Sequence, residues 1–234
     1  CSTVPITDRR QLAIYPESFV NKQAAGAYNN FKSKKCKANN CKAKNAKLLL
    51  HTFFPEGWDI PKLAKEHNVP MDKILATYVC KQCNAYQVKS YIGEARNCQI
   101  CKTSGSLDTT SVTNGVSEKE LNEIYNLMDV YCHPFTSGGQ EIPIQEAKLA
   151  ELITLVTNYS CGEEMCEEPA NSLPLEWHEY REAQTEFIKA STDPKSIAEQ
   201  LKKVFEMPKK QKRKMEKAGR RWVEKNFSVK VIGK

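Results

Sequence analysis

Short, continuous apolar runs alternate along this chain with stretches whose apolar residues recur at helical spacing. Lys47-Leu-Leu-Leu-His-Thr-Phe-Phe54 reads as a buried parallel strand, with His51 a satisfied core or strand-end residue. Asp59 can cap a helix following at Ile60-Pro61, and Lys73 to Val79 reads as the next strand. Ser117 and Glu120 form a capping box for a helix whose apolar residues are Leu121, Ile124, Tyr125 and Met128. Val130–Phe135 and Leu152–Tyr159 are further apolar runs. Residues 162–182 look irregular and acidic, and Glu186–Ala190 reads as a short strand. Asp193-Pro194 opens a helix running to about Phe205, and Lys209–Phe227 is a second, strongly basic one. Residues 1–45 are the least legible: Pro16–Phe31 can be helical, and Lys32–Lys47 looks like a basic loop. Repeated β-then-α order predicts an α/β parallel sheet with helices on both faces.

Between Phe135 and the helical pattern that begins around Pro143 lies a polar glycine turn, Thr136 to Gly139. Strand, Gly-rich turn and helix leave free N–H groups and a positive helix end facing one point, which suits phosphate or another anion. Ser137, Gly138 and Gly139 form the turn, and Ile142 stands at the helix start. Glu146, placed in the first helical turn, brings a carboxylate within reach of sugar or ribose hydroxyls. An ordinary βα turn carries the same local pattern. The loop Asn158–Cys161 is expected beside it, at the carboxyl edge of the sheet.

Four of the ten cysteines have a specific spacing. Cys80-x2-Cys83 and Cys98-x2-Cys101, fourteen residues apart, predict a zinc ribbon over 80–104 with a structural Zn²⁺ on four thiolates. Tyr86 to Gly93 is expected to form the hairpin between the knuckles. Cys36, Cys41, Cys161, Cys166, Cys1 and Cys132 read as free thiols in a reducing, cytoplasmic setting.

Composition adds limits. At 234 residues, 40% apolar and 27% charged, the chain is that of a globular protein with a sizeable core. No run approaches the ~18 apolar residues of a membrane span, and no signal-peptide pattern opens it. It starts at Cys1, so an upstream segment is expected. The net charge of +7 favours an anionic partner, a nucleotide or a nucleic acid. Lys81, Tyr86, Lys89, Tyr91, Arg96 and Lys102 would let the ribbon act instead as a nucleic-acid-binding module.

The segment from Tyr125 to Ala147 resembles the donor-site signature of the group 1 family of retaining, GT-B-fold glycosyltransferases. Asp129, Val130, Ser137, Gly139, Pro143, Glu146 and Ala147 match in place. The family carries two glutamates eight residues apart: Glu146 fills the second position, and Gly138 stands at the first. Glu141, three residues on, is the candidate replacement. Glu151-Leu-Ile-Thr154 replaces the usual Gly-x-Pro. The resemblance implies a Rossmann-like half of a GT-B fold over 46–79 and 105–234. It also implies retaining transfer from a nucleotide-sugar, with Glu146 and Glu141 catalytic and Arg9 and Arg10 near the diphosphate. Some virus-encoded members look similar, with a four-cysteine ribbon inserted before a stretch like Gly115–Asn126, which points to a virus-infected host cell. The acceptor, a glycan or modified DNA, would bind a second domain for which this chain has no room. A catalytically silent relative is the other expectation, raised by Gly138.

Overall fold

The computed structural model describes residues 11–14 and 46–233, and for 11–14 only the backbone. The strands are β1 Gln11–Ile14, β2 Lys47–Leu50, β3 Ile74–Cys80, β4 Tyr86–Ser90, β5 Leu107–Thr109, β6 Val130–His133, β7 Ile153–Thr157, β8 Leu173–Leu175, β9 Trp177–Arg181 and β10 Ile188–Thr192. The helices are α1 Ile60–Glu66, α2 Glu118–Tyr125, α3 Ile142–Leu149, α4 Cys161–Cys166, α5 Pro194–Glu206, α6 Lys209–Phe227 and α7 Val229–Ile232.

The main sheet runs β4-β3-β2-β1-β6-β7-β8, with β5 also on β3. Pairing from β3 through β8 is parallel; β4 and β5 join antiparallel. Order therefore reverses between β1 and β6, the switch point where open α/β sheets hold ligands beyond the carboxyl ends of their strands.

Side-chain alternation gives each face its own core. Leu48, Leu50, Ala76, Cys132 and Leu155 pack with α1 and α5 through Ile60, Ala64, Ile197, Leu201 and Val204. Leu49, Leu75, Tyr131, Phe135 and Val156 pack with α2, α3 and α6 through Ile124, Ile144, Ala147, Trp222 and Val223. Asp59 accepts from the Lys62 amide, Ser117 and Glu120 close the capping box, and Asp193 accepts from the Lys195 amide. His51 ends β2 bonded to the Thr77 hydroxyl at 3.0 Å, and burial lowers its pKa to about 4. No helix among the described residues is long and apolar enough to cross a membrane.

Several expected boundaries move. β2 stops at Leu50, its last residue paired with β1 and β3, and the Phe54 amide beyond it donates to the Thr109 hydroxyl of β5. Tyr86–Gly93 is no hairpin: Tyr86–Ser90 is one strand, and its partner is β3. The ribbon thus widens the main sheet. Residues 162–182 are ordered into α4, β8 and β9, and β9 pairs with β10 as a separate two-stranded ribbon. The expected strand at 186–190 shifts to 188–192, since Glu182, Glu186 and Phe187 are used in the connecting turn. Pro16–Phe31, Arg9, Arg10, Cys1, Cys36 and Cys41 lie outside the described residues, as does nearly all of Lys32–Lys47.

Helix α6 crosses the amino-terminal edge of the sheet. Met215 packs on the first core and Trp222 lies in the second. Between them Gly219 faces Lys148 and the Ala170 carbonyl, and Arg220 lies 3.7 Å from Glu151. Lys148 is 1% exposed, donates to the Ala170 carbonyl at 2.6 Å and lies 5.9 Å from the Trp222 ring centre. Burial lowers its pKa from 10.5 to about 8. The unfolded chain then keeps the proton to higher pH than the folded one, so stability rises as pH climbs between those values. Lys148→Met is expected to stabilise the fold at neutral pH by on the order of 1–3 kcal/mol and to remove that rise, read from urea titrations at pH 7 and pH 10.

Candidate functional site

β6 is buried from Val130 to His133, and beyond it the chain must leave the sheet at the switch point. The turn that follows is held from three sides. The Phe135 amide donates to the Thr157 hydroxyl at 3.1 Å, the Thr136 carbonyl accepts from the Ala190 amide at 2.9 Å, and the Ser160 hydroxyl donates to the Gly138 carbonyl at 2.7 Å. Ser137 and Gly138 are half-buried and Gly139 is exposed, with open space where a Cβ would stand. Ile142, the first residue of α3, is 60% exposed.

Helix α3 begins at Ile142, so Glu146 lies in its second turn rather than its first. The Glu146 carboxylate accepts a hydrogen bond from Tyr125 Oη at 3.0 Å. Glu141 is the cap residue, yet its side chain makes no cap bond. It folds back across the turn: Oε2 lies 3.0 Å from His133 Nε2, and His133 Nδ1 lies 3.1 Å from Tyr131 Oη. A Cβ built on Gly138 would overlap the Glu141 carboxylate. The carboxylate of residue 141 therefore occupies the space into which a side chain at 138 would project. The Glu141 carboxylate borders the open glycine turn, and the Glu146 carboxylate is held further along α3; each is bonded to a ring. They are acceptors, suited to hydroxyl groups.

The loop Asn158–Cys161 lies beside the turn as expected, through Ser160; the holding roles of Tyr125, Tyr131 and His133 were not anticipated. The period of two along Tyr131, His133 and Phe135 was the available signal, because it sets all three on one face. The Cys161 thiol lies beside the Glu141 amide, and burial followed by the Glu141 charge raises its pKa.

The four ribbon cysteines converge. Their sulfurs all lie within 4.8 Å of one another, with Cys80 to Cys101 at 3.6 Å and Cys83 to Cys98 at 3.8 Å. A tetrahedron of thiolates with zinc–sulfur bonds of about 2.3 Å has edges of about 3.8 Å. Backbone amides of Gln82 and Ile100 donate to Cys80 and Cys98 at 3.4 Å each. The Ser106 hydroxyl beside Cys80 is the main cause that lowers its pKa to about 6, toward the ligating thiolate. The residues fit a structural zinc ion closed by four sulfurs. Three of the ribbon's other groups are engaged within the protein. Lys81 pairs with Asp108, Tyr86 bonds Glu123, and Tyr91 stacks on Phe54 at 4.1 Å.

Residues 93–222 match the family model described as glycosyl transferases group 1. The chain belongs to that family. Among solved structures, this family member is similar to the C-terminal domain of a glycosyl transferase group 1 family protein from Francisella tularensis. That match has 12% identity and a TM-score of 0.56, and covers 94% of this chain and 87% of that one. It is also similar to Anabaena HepE, solved with UDP and glucose, at 10% identity and TM-score 0.57, over 95% of this chain and 45% of that one. Sucrose-phosphate synthase from Thermosynechococcus elongatus matches at 13% identity and TM-score 0.56, over 95% and 43%. The family member thus spans less than half of each of these two longer proteins. A search of the curated proteins finds no match.

Elemental analysis of protein purified without chelator is expected to give one zinc per chain, and Cys80→Ser to lose it. Because Cys80 is also the last residue of β3, that variant should lose the near-ultraviolet signal of Tyr78, Tyr86 and Tyr91 while most helical signal persists.

Proposed function

We propose that this domain binds a nucleoside diphosphate-sugar at the turn after β6 and forms the donor half of a retaining glycosyltransferase. The observation that carries the reading is the Glu141 carboxylate folded back over Gly138 at the switch point, filling the space that a side chain at 138 would take. Glu146, oriented by Tyr125, holds donor hydroxyls. Glu141, oriented by His133, stands in for the family's first glutamate, for its carboxylate fills the room left by Gly138. The amides of Ser137, Gly138 and Gly139 receive the diphosphate, with Arg9 and Arg10 proposed as its further grips. Charge accumulates on that diphosphate as the anomeric bond breaks, and fixed dipoles there lower the barrier. The solved relative that contains UDP and glucose supports a nucleotide-sugar as the ligand.

The acceptor comes to the donor on a second half of similar size, so this chain alone binds donor and transfers little sugar. The ribbon is structural, carries zinc and bounds the same edge of the sheet. Glu94 accepts from both the amide and the hydroxyl of Thr109. An intracellular setting and a virus-encoded origin belong to the same proposal, the first motivated by the unpaired thiols among the described residues and the second by the inserted ribbon.

Two measurements test the donor reading. Glu146→Ala should weaken UDP-sugar binding by calorimetry by about 10- to 100-fold, the worth of a charge-assisted hydrogen bond of roughly 1.5–3 kcal/mol; unchanged affinity overturns the assignment. Gly138→Glu alone should weaken sugar binding by crowding Glu141, and the double exchange Gly138→Glu with Glu141→Gly should recover most of it. If the double variant binds no better than Gly138→Glu, Glu141 does not replace the missing glutamate.

A further inference from the structure

Helix α6 holds nine lysines and arginines against two glutamates, so its net charge of +7 equals that of the whole chain. The rest of the protein balances to zero. Lys210, Lys214, Lys217, Arg221 and Lys225 recur every three or four residues and share one face, all of them exposed. The opposite face is the one that packs, through Met215, Gly219, Trp222 and Val223. Among the described residues none of the five has an acidic partner at ion-pair distance; Glu224 is taken by Arg220 at 2.8 Å. Like charges at this spacing repel within the helix. The stripe is about 24 Å long at 1.5 Å per residue.

Directly after the stripe, α7 turns three aliphatic side chains to water: Val229 is 86% exposed, Val231 49% and Ile232 66%. Lys230 lies among them. A row of free cations continuous with exposed aliphatic groups matches one kind of surface, anionic headgroups over an apolar layer. A nucleic acid would use the cations and leave the aliphatics without a partner. The helix also offers no stacking platform, since Trp222 is buried and Phe227 packs against it at 5.2 Å.

We infer that α6 and α7 dock this domain on the surface of an anionic lipid bilayer. Helix α6 crosses the amino edge of the sheet, whereas the glycine turn lies at the carboxyl edge. A bilayer on the stripe leaves that turn open. The inference does not depend on donor binding.

Co-sedimentation of the full chain with phosphatidylcholine vesicles, with and without phosphatidylserine, tests it. Binding is expected only with phosphatidylserine and should fall as salt screens the charges. The combined variant K210Q/K214Q/K217Q/R221Q/K225Q should lower the partition by about an order of magnitude or more, with an unchanged circular dichroism spectrum. V229S/V231S/I232S, which alters only exposed side chains, should lower it several-fold and leave its salt dependence intact. Equal binding to neutral vesicles, no binding to anionic ones, or indifference to both variants overturns the inference. So does tighter binding of the chain to duplex DNA or RNA than to the anionic vesicles. Loss of binding in the aliphatic variant through a change of oligomeric state in light scattering would assign α7 to a second copy of the chain instead.

Discussion

Buried backbone amides demand partners, and at the end of β6 the sheet stops supplying them. Pro134 has no N–H to give. The Phe135 amide finds the hydroxyl of Thr157, which is fully buried at the end of β7 and bonds Thr192 at 2.7 Å as well. One hydroxyl therefore ties the exits of β6, β7 and β10 together. It fixes where the chain leaves the sheet and hence where the glycine turn stands. The turn can be open and glycine-rich because its anchorage lies in neighbours, through Thr157, Ser160 and Ala190, rather than in its own side chains.

The same economy governs the carboxylates. A glutamate on residue 138 would approach the site from the turn itself, whereas Glu141 approaches from the start of α3 and must fold back. Folding back needs a holder, and His133, on the same face as Tyr131, provides it. Tyr125 does the corresponding work for Glu146 from α2. The site is thus assembled by β6, α2 and α3, whose apolar faces meet in one core.

Elements whose signal is local were legible. The caps at Asp59, Ser117 and Asp193 lie beside the helices they open, and the apolar runs of β3 and β7 needed no distant partner to be recognised. Elements whose identity depends on a partner were not. Tyr86–Ser90 alternates as a strand must, but only β3 decides that it widens the main sheet rather than folding on itself. Leu173–Leu175 is three residues long in acidic surroundings, and becomes a strand by pairing with β7. The four cysteines were legible because metal ligation writes its spacing into the chain. His133 was not, for its role depends on the backward fold of Glu141, which no spacing encodes. The start of α3 lies one residue before the expected Pro143, enough to move Glu146 past the first turn, since no side-chain cap marks the helix start.

Helix α6 touches both cores, Met215 on one side of the sheet and Trp222 and Val223 on the other. The strands already link the two layers, since alternate residues of each strand belong to opposite cores, and α6 adds a second link at the sheet's edge. A single rigid rod fastened to both couples their fates: neither layer can loosen without releasing the far end of α6. A nick in the connection at Pro208 would leave α6 seated on both cores by packing alone, so its grip would depend on Met215, Trp222 and Val223 rather than on the chain.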